Sequence, residues 1–210
     1  NQTIVGIGSK LVSGNRFFSD VIVHEAAHHW WGNAVGLKSW KDIWLNEGFS
    51  SYSEALYWEN KSGRNSLIST LFTKKNDFND TRLYDPEGIM FSSTIYNKGA
   101  WVLHMLRFEI GEDNFDLLLK EYFTTYKYSN ASTDDLKNLA EKISGINLTK
   151  FFDQWIYNGV CFIYADYSLV KEKNKSYLKL NQIQDGYDIY NFSLEVNLVG
   201  TDKKESVKYY

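Results

Sequence analysis

Apolar positions recur at helical spacing from about residue 19 to residue 157 of this chain, and at every second position near its end. Residues 1–13 read as a strand remnant followed by a Gly-containing turn. The run from about Ser19 to Trp31 predicts a helix that Ser19 or Asp20 caps and Gly32 ends. Residues 33–45 form a connector rich in Trp, and a second helix is expected from about Asn46 to Asn60, stopping near Gly63. The polar stretch 76–94 holds the one proline, Pro86, and reads as a loop. Three helices follow: about Tyr96 to Ile110 with Gly111 as its stop, Asp113 to Tyr128, and one opened by Thr133-Asp134-Asp135 and closed by Gly145. Asn147 to Tyr157 is the last helix. After Gly159 the period changes to two. Leu178 and Leu180 alternate with Lys179 and Asn181, and Phe192, Leu194, Val196 and Leu198 with Ser193, Glu195 and Asn197, as in half-buried antiparallel strands. The expected architecture is therefore a helical unit over residues 1–159, then three or four strands of a thin, truncated antiparallel sheet over residues 160–210.

Composition narrows the function classes. Of 210 residues, 43% are hydrophobic and 17% aromatic, enough for a core. A net charge of −3 gives no electrostatic footprint for nucleic acid. No apolar run approaches the roughly 20 residues of a membrane span. The one cysteine, Cys161, excludes both an internal disulfide and a thiolate metal cluster. The chain does not begin with Met and carries no leader-like pattern, so its first residue is expected to lie inside a longer protein. Asn-x-Ser/Thr triplets occur at Asn1, Asn60, Asn79, Asn130, Asn147, Asn174 and Asn191. They lean towards an extracytoplasmic or secreted protein.

The chemistry lies in His24-Glu25-Ala26-Ala27-His28, followed after eighteen intervening residues by Glu47. Two histidines four apart on a helix share a face, about 6 Å apart along the axis, and can grip one ion. His24, His28 and Glu47 supply the three protein ligands of a catalytic zinc, which leaves a fourth position for water. A cation held there brings that water's pKa to about 7. Glu25 lies one residue round the helix, where it can take the water's proton and deliver it to a leaving amine. A lone histidine on an apolar face is ordinarily a packed core residue, and a bare HExxH arises by chance. The third ligand and the flanking residues separate this site from both. Trp31 and Ala34 stand where a metzincin needs Gly and His, which excludes that class.

The flanks, His28-His29-Trp30-Trp31-Gly32-Asn33-Ala34-Val35 and Trp40-Lys41-Asp42-Ile43-Trp44-Leu45-Asn46-Glu47-Gly48-Phe49, closely resemble the zinc site of the aminopeptidase N family of gluzincins. Tyr96-Asn97-Lys98-Gly99-Ala100 resembles that family's Tyr-x-Lys-Gly segment, and Phe151-Phe152-Asp153-Gln154-Trp155 the end of its catalytic domain. The resemblance covers about residues 24–155. It implies a mainly α, thermolysin-like zincin domain over 1–159 with its N-terminal part missing, and the start of a β-sandwich-like domain over 160–210. It implies one zinc ion, peptide substrates and removal of single residues from peptide N-termini. Tyr96 becomes the second oxyanion donor beside the metal. Glu54, seven residues after Glu47, is either the carboxylate that orients a ligand histidine or a solvated surface residue. His29 is expected near the site or in packing, His104 in a structural role, and the tryptophans at 30, 31, 40 and 44 in packing of the helix pair.

Two departures matter. The family's α-amine-anchoring Gly-x-Met-Glu-Asn strand is absent, with Asn1 standing where its last residue would be. Val160-Cys161 replaces the Pro expected after Gly159. On this view the isolated 210 residues are marginally stable and weakly active. Two other functions fit the metal: the epoxide hydrolysis found in the same family, and a zinc-stabilised scaffold. Intact Glu25 and Tyr96 argue against a scaffold, which needs neither a base nor an oxyanion donor.

Overall fold

The computed structural model describes residues 4–15, 17–75, 81–159, 163–173, 175–185, 189–199 and 204–209. Asn1, Asn79, Asn174, Val160 and Cys161, on which expectations were placed, lie outside them. The chain divides into two compact units, Asn1–Val160 and Cys161–Tyr210.

The first unit is helical. Its helices are α1 (Ser19–Ala27), α2 (Ile43–Ser62), α3 (Arg64–Thr73), α4 (Gly99–Ile110), α5 (Glu112–Tyr126), α6 (Thr133–Ser144) and the short α7 (Thr149–Phe152). Two three-residue strands, β1 (Val35–Leu37) and β2 (Ser129–Ala131), pair in parallel. Helix α2 is the axle, in contact with α1, α3 and α4. Trp44, Phe49 and Tyr52 of α2 are fully buried, as are Leu67 of α3, Leu103 of α4 and Phe115 of α5. α6 has the clearest local signals. Ser132 caps it through a capping box with Asp135, and Gly145 closes it in the left-handed conformation.

Several boundaries differ from the sequence pattern. α1 ends at Ala27 rather than Trp31. The amides of Trp30 and Trp31 both fold back onto the Ala27 carbonyl, and Gly32, at φ 119°, turns the chain into β1. Neither Ser19 nor Asp20 caps this helix. Phe18 precedes it without a side-chain cap bond, and the Asp20 carboxylate instead accepts from the Trp58 indole on α2. α2 begins at Ile43, ahead of the expected Asn46, after a one-turn 3-10 segment at Trp40–Asp42. α3 went unpredicted although Leu67 and Leu71 are spaced for it. β1 and β2 were unpredicted because three residues carry no period. Tyr96 sits in a π-type turn, Thr94–Lys98, ahead of α4 rather than at a regular helix start. The expected last helix divides into α7 and a second π-type turn, Asp153–Tyr157.

The second unit consists of two antiparallel hairpins, β3–β4 (Ala165–Glu172 with Lys175–Gln182) and β5–β6 (Leu194–Val199 with Lys204–Tyr209). The antiparallel pairing agrees with the alternation. Among the described residues each hairpin is its own two-stranded sheet rather than part of a single one, and half-burial holds in β5, where Leu194 and Val196 are half-buried between exposed Glu195 and Asn197, but not in β3–β4. β3 is exposed along its whole length and β4 everywhere except Gln182. Alternation sorts side chains onto two faces, but burial requires a layer to pack against one of them.

Candidate metal centre

His24 lies in the last turn of α1 and His28 caps that helix, so their rings meet edge to face with centroids 4.8 Å apart. Glu47 comes from the second turn of α2, which crosses α1. Its Oε2 lies 3.3 Å from His24 Nε2 and 3.4 Å from His28 Nε2. One ligand atom of each of the three residues lies within 4.8 Å of the others. Two ligands on a tetrahedral zinc at the usual bond lengths sit about 3.3 Å apart, so this donor set fits the ion.

Each histidine's other nitrogen is also engaged. His24 Nδ1 is 2.9 Å from Glu54 Oε1. His28 Nδ1 is 3.0 Å from both the Trp31 carbonyl and the Ser50 hydroxyl. A proton on Nδ1, donated to Glu54 or to the Trp31 carbonyl, leaves the Nε2 lone pair facing Glu47. Glu54 is 6% exposed, so of its two readings the structure contradicts the solvated one. It accepts a further bond from Lys74 Nζ at 2.6 Å.

The electrostatics mark a site built for a cation. Burial works against a charged His24, yet hydrogen bonds to Glu47 and Glu54 outweigh it and push its pKa up to about 9. His28 is raised in the same way, against its burial, by Glu47 and the Trp31 carbonyl. Burial would raise Glu47, but hydrogen bonds from the two histidines bring it down to about 2. A metal held by these groups would compete with their protons.

Tyr96 stands over the cluster, its ring centroid 5.7 Å from that of His24. Burial first, then the charges of Glu47 and Glu25, push its phenol up to about 12, so it stays a hydrogen-bond donor at neutral pH. Glu25 is half-buried on α1, close enough for its charge to act on Tyr96. The structure therefore gathers His24, His28, Glu47 and Glu54 by direct contact, with Tyr96 and Glu25 beside them.

The remaining expectations divide. Trp44 is fully buried, its indole donating to Thr133 Oγ1 at 2.9 Å, and Trp31 packs on Phe49. Trp30 and Trp40 are more than half exposed and do not pack the helix pair. The cleft lined by His29, Trp30, Asn33 and Tyr128, about 870 Å³, includes none of the cluster residues. His104 serves structure: its Nδ1 lies 3.1 Å from the Tyr52 hydroxyl. Three contributors were missed. Ser50 and Ser51 lie three and four residues after Glu47, a spacing that put them on its face and was readable. Lys74 arrives from another helix, and no local pattern announces it.

His24 and His28, at the end of α1, and Glu47 of the crossing α2 form a group that could hold a metal ion, in the pattern of a gluzincin. A model of the peptidase family M1 domain matches residues 7–155, and the chain belongs to that family. It is 32% identical over 198 residues to a probable aminopeptidase 2 of Sulfurisphaera tokodaii, covering 85% of this chain and 25% of the relative. It is 33% identical over 152 residues to aminopeptidase N of Lactococcus lactis, covering 65% and 18%. The chain thus spans a quarter or less of these two relatives' length. Among solved structures, an M1 zinc metallopeptidase from Deinococcus radiodurans superposes with TM-score 0.60 at 29% identity, over 68% of this chain and 33% of the other. Aminopeptidase A of Legionella pneumophila shares the fold over 91% of this chain and 23% of its own, with TM-score 0.71 at 19% identity.

Proposed function

We propose that this chain carries the catalytic centre of a zinc-dependent aminopeptidase, in a thermolysin-like domain over residues 1–159 followed by the start of a β-sandwich-like domain. One observation carries the reading: two imidazole nitrogens each lie 3.3–3.4 Å from one Glu47 oxygen, the spacing of a tetrahedral ion's ligands. The names of the relatives support the reaction class, since both are called aminopeptidases.

His24, His28 and Glu47 hold the ion, and Glu54 fixes the ring of His24. When bound, zinc supplies a Lewis acid that acidifies water and polarises the scissile carbonyl. Glu25 accepts the proton of the attacking water and passes it to the leaving amine as the C–O bond forms and the C–N bond breaks. Tyr96 donates to the carbonyl oxygen as negative charge develops there.

The test is a pair of variants in the full chain, assayed on an amino-acid anilide and its N-acetylated analogue. Glu25→Gln should keep zinc and lose about 10²–10⁴ in kcat. His24→Ala should lose the metal itself, read by elemental analysis. Full turnover by Glu25→Gln, or cleavage of the acetylated substrate as fast as the free amine, overturns the reading.

A further inference from the structure

The Lys74 ammonium is a largely covered charge that the reaction just described does not use. Its side chain is 13% exposed and that of its partner Glu54 is 8%. Ordering a long lysine side chain costs rotamer entropy, and a charge largely removed from water must be matched by a partner. The match here is unusually specific. Lys74 Nζ is 2.6 Å from Glu54 Oε2, while the other oxygen of the same carboxylate, Oε1, is 2.9 Å from His24 Nδ1. Each oxygen is thus committed to a different partner, and the carboxylate cannot turn about its terminal torsion without breaking one bond. The lysine comes from the C-cap of α3, which packs on α2 after the turn at Gly63. Three elements therefore meet in one line: α3 through Lys74, α2 through Glu54, and α1 through His24.

We infer that Lys74 is a positioning residue for the metal centre: it locks the Glu54 carboxylate so that His24 presents Nε2 to the ion. This rests on the metal reading above, since it needs His24 to be a ligand. Without the ammonium, Glu54 is free to turn, and His24 loses the anchor that fixes its ring angle. The effect falls on metal retention first, because the bond from Lys74 reaches His24 only through Glu54.

The test measures zinc affinity of the full chain by competition with a chromophoric chelator, for wild type, Lys74→Met, Lys74→Gln, Lys74→Arg, Glu54→Gln and the Lys74→Met/Glu54→Gln pair, with Tm recorded for each. Loss of an outer partner of a ligand histidine weakens metal binding by about 10–100-fold. Lys74→Met and Lys74→Gln should raise the zinc Kd about tenfold, and Lys74→Arg should recover most of that loss. The double variant should bind no more weakly than Glu54→Gln alone, because the lysine acts only through that carboxylate. Wild-type affinity in folded Lys74→Met or Lys74→Gln, even with a lowered Tm, overturns the inference and leaves the lysine a structural ion pair. Additive losses in the double variant also overturn it. Failure of the wild type to bind zinc would instead sink the metal reading itself, so the two failures are distinct.

Discussion

Gly99→Ala should separate the reaction's chemistry from its metal. Gly99 opens α4 and meets Gly48 of α2 backbone to backbone. A Cβ at Gly99 would lie 2.8 Å from Gly48 Cα, and one at Gly48 would lie 3.0 Å from Gly99 Cα. Ordinary carbon contacts begin at about 3.5 Å, so the added methyl forces the two helices apart by roughly 0.7 Å at their crossing. No flexible side chain lies between them to absorb the shift. Alanine's better helix propensity returns at most about 1 kcal/mol, while overpacking costs about 1–3 kcal/mol. The net is a modest destabilisation of a protein that still folds. The site feels the shift unevenly. Glu47 is the neighbour of Gly48, whereas Tyr96 is carried on the turn that runs into Gly99. His24 and Glu47 belong to α1 and α2, and His28 caps α1, so the three candidate ligands move together and the phenol moves away from them. A displacement approaching 1 Å can cost a catalytic group up to about 10²-fold, at the lower end of the 10²–10³ of losing an oxyanion donor outright. Steady-state assays on an amino-acid anilide should therefore show kcat down by up to about 10²-fold, KM within a few-fold, and zinc content unchanged. Adding Gly99→Ala to Tyr96→Phe should cost little more than Tyr96→Phe alone. A folded Gly99→Ala protein with kcat within about threefold of wild type, or one that sheds zinc in step with activity, would refute the idea that this crossing sets the phenol's position.

Two further outcomes test the frame around the site. Asp42 is 2% exposed and accepts from both the amide and the hydroxyl of Thr133 at 2.8 Å, joining the starts of α2 and α6. Asp42→Ala strands those donors and should cost about 1–3 kcal/mol by urea unfolding, and a loss under about 0.5 kcal/mol would show that they find other partners. Burial, then the charges of Arg64 and Arg107, hold His104 at a pKa of about 4, with Glu59 pulling the other way and Tyr52 bonded to its ring. Its unfolded value is about 6.5, so the unfolded chain binds the extra proton and stability falls as pH drops from 6.5 towards 4, by at most about 3 kcal/mol. The stability difference between wild type and His104→Gln should change across that window and be flat above pH 7; a flat difference throughout would remove His104 as the cause.

What could be read from the residues follows the range of the forces involved. His24 and His28 are four apart on one helix, and Glu47 and Glu54 are seven apart on the next, so helical geometry alone put each pair on a common face. Tyr96 was legible only through the residues around it, because a π-type turn has no sequence period. The errors lie where a side chain had a competing partner. Asp20 reads as a cap residue, but the Trp58 indole takes its carboxylate. Trp30 reads as core and is exposed. The strands show the converse limit: alternation gave their pairing, and nothing local could say whether a layer lies against either face.

Helix α2 shows why the centre holds its shape. Glu47, Ser50, Ser51 and Glu54 occupy one stripe of it and all are buried, an arrangement that is unfavourable unless every polar group has a partner. Each has one on α1 or its C-cap: Glu47 with both histidines, Ser50 with His28, and Ser51 and Glu54 with His24. The opposite requirement governs the Gly48 face, where only a residue without a side chain lets α4 come close enough to bring Tyr96 over the cluster. On the proposed function, the polar stripe sets where a cation would be held, and the glycine contact sets how near the phenol comes. Variants on the two faces should therefore fail differently: substitutions of Ser50 or Glu54 through metal affinity, and substitutions of Gly48 or Gly99 through turnover with the metal in place.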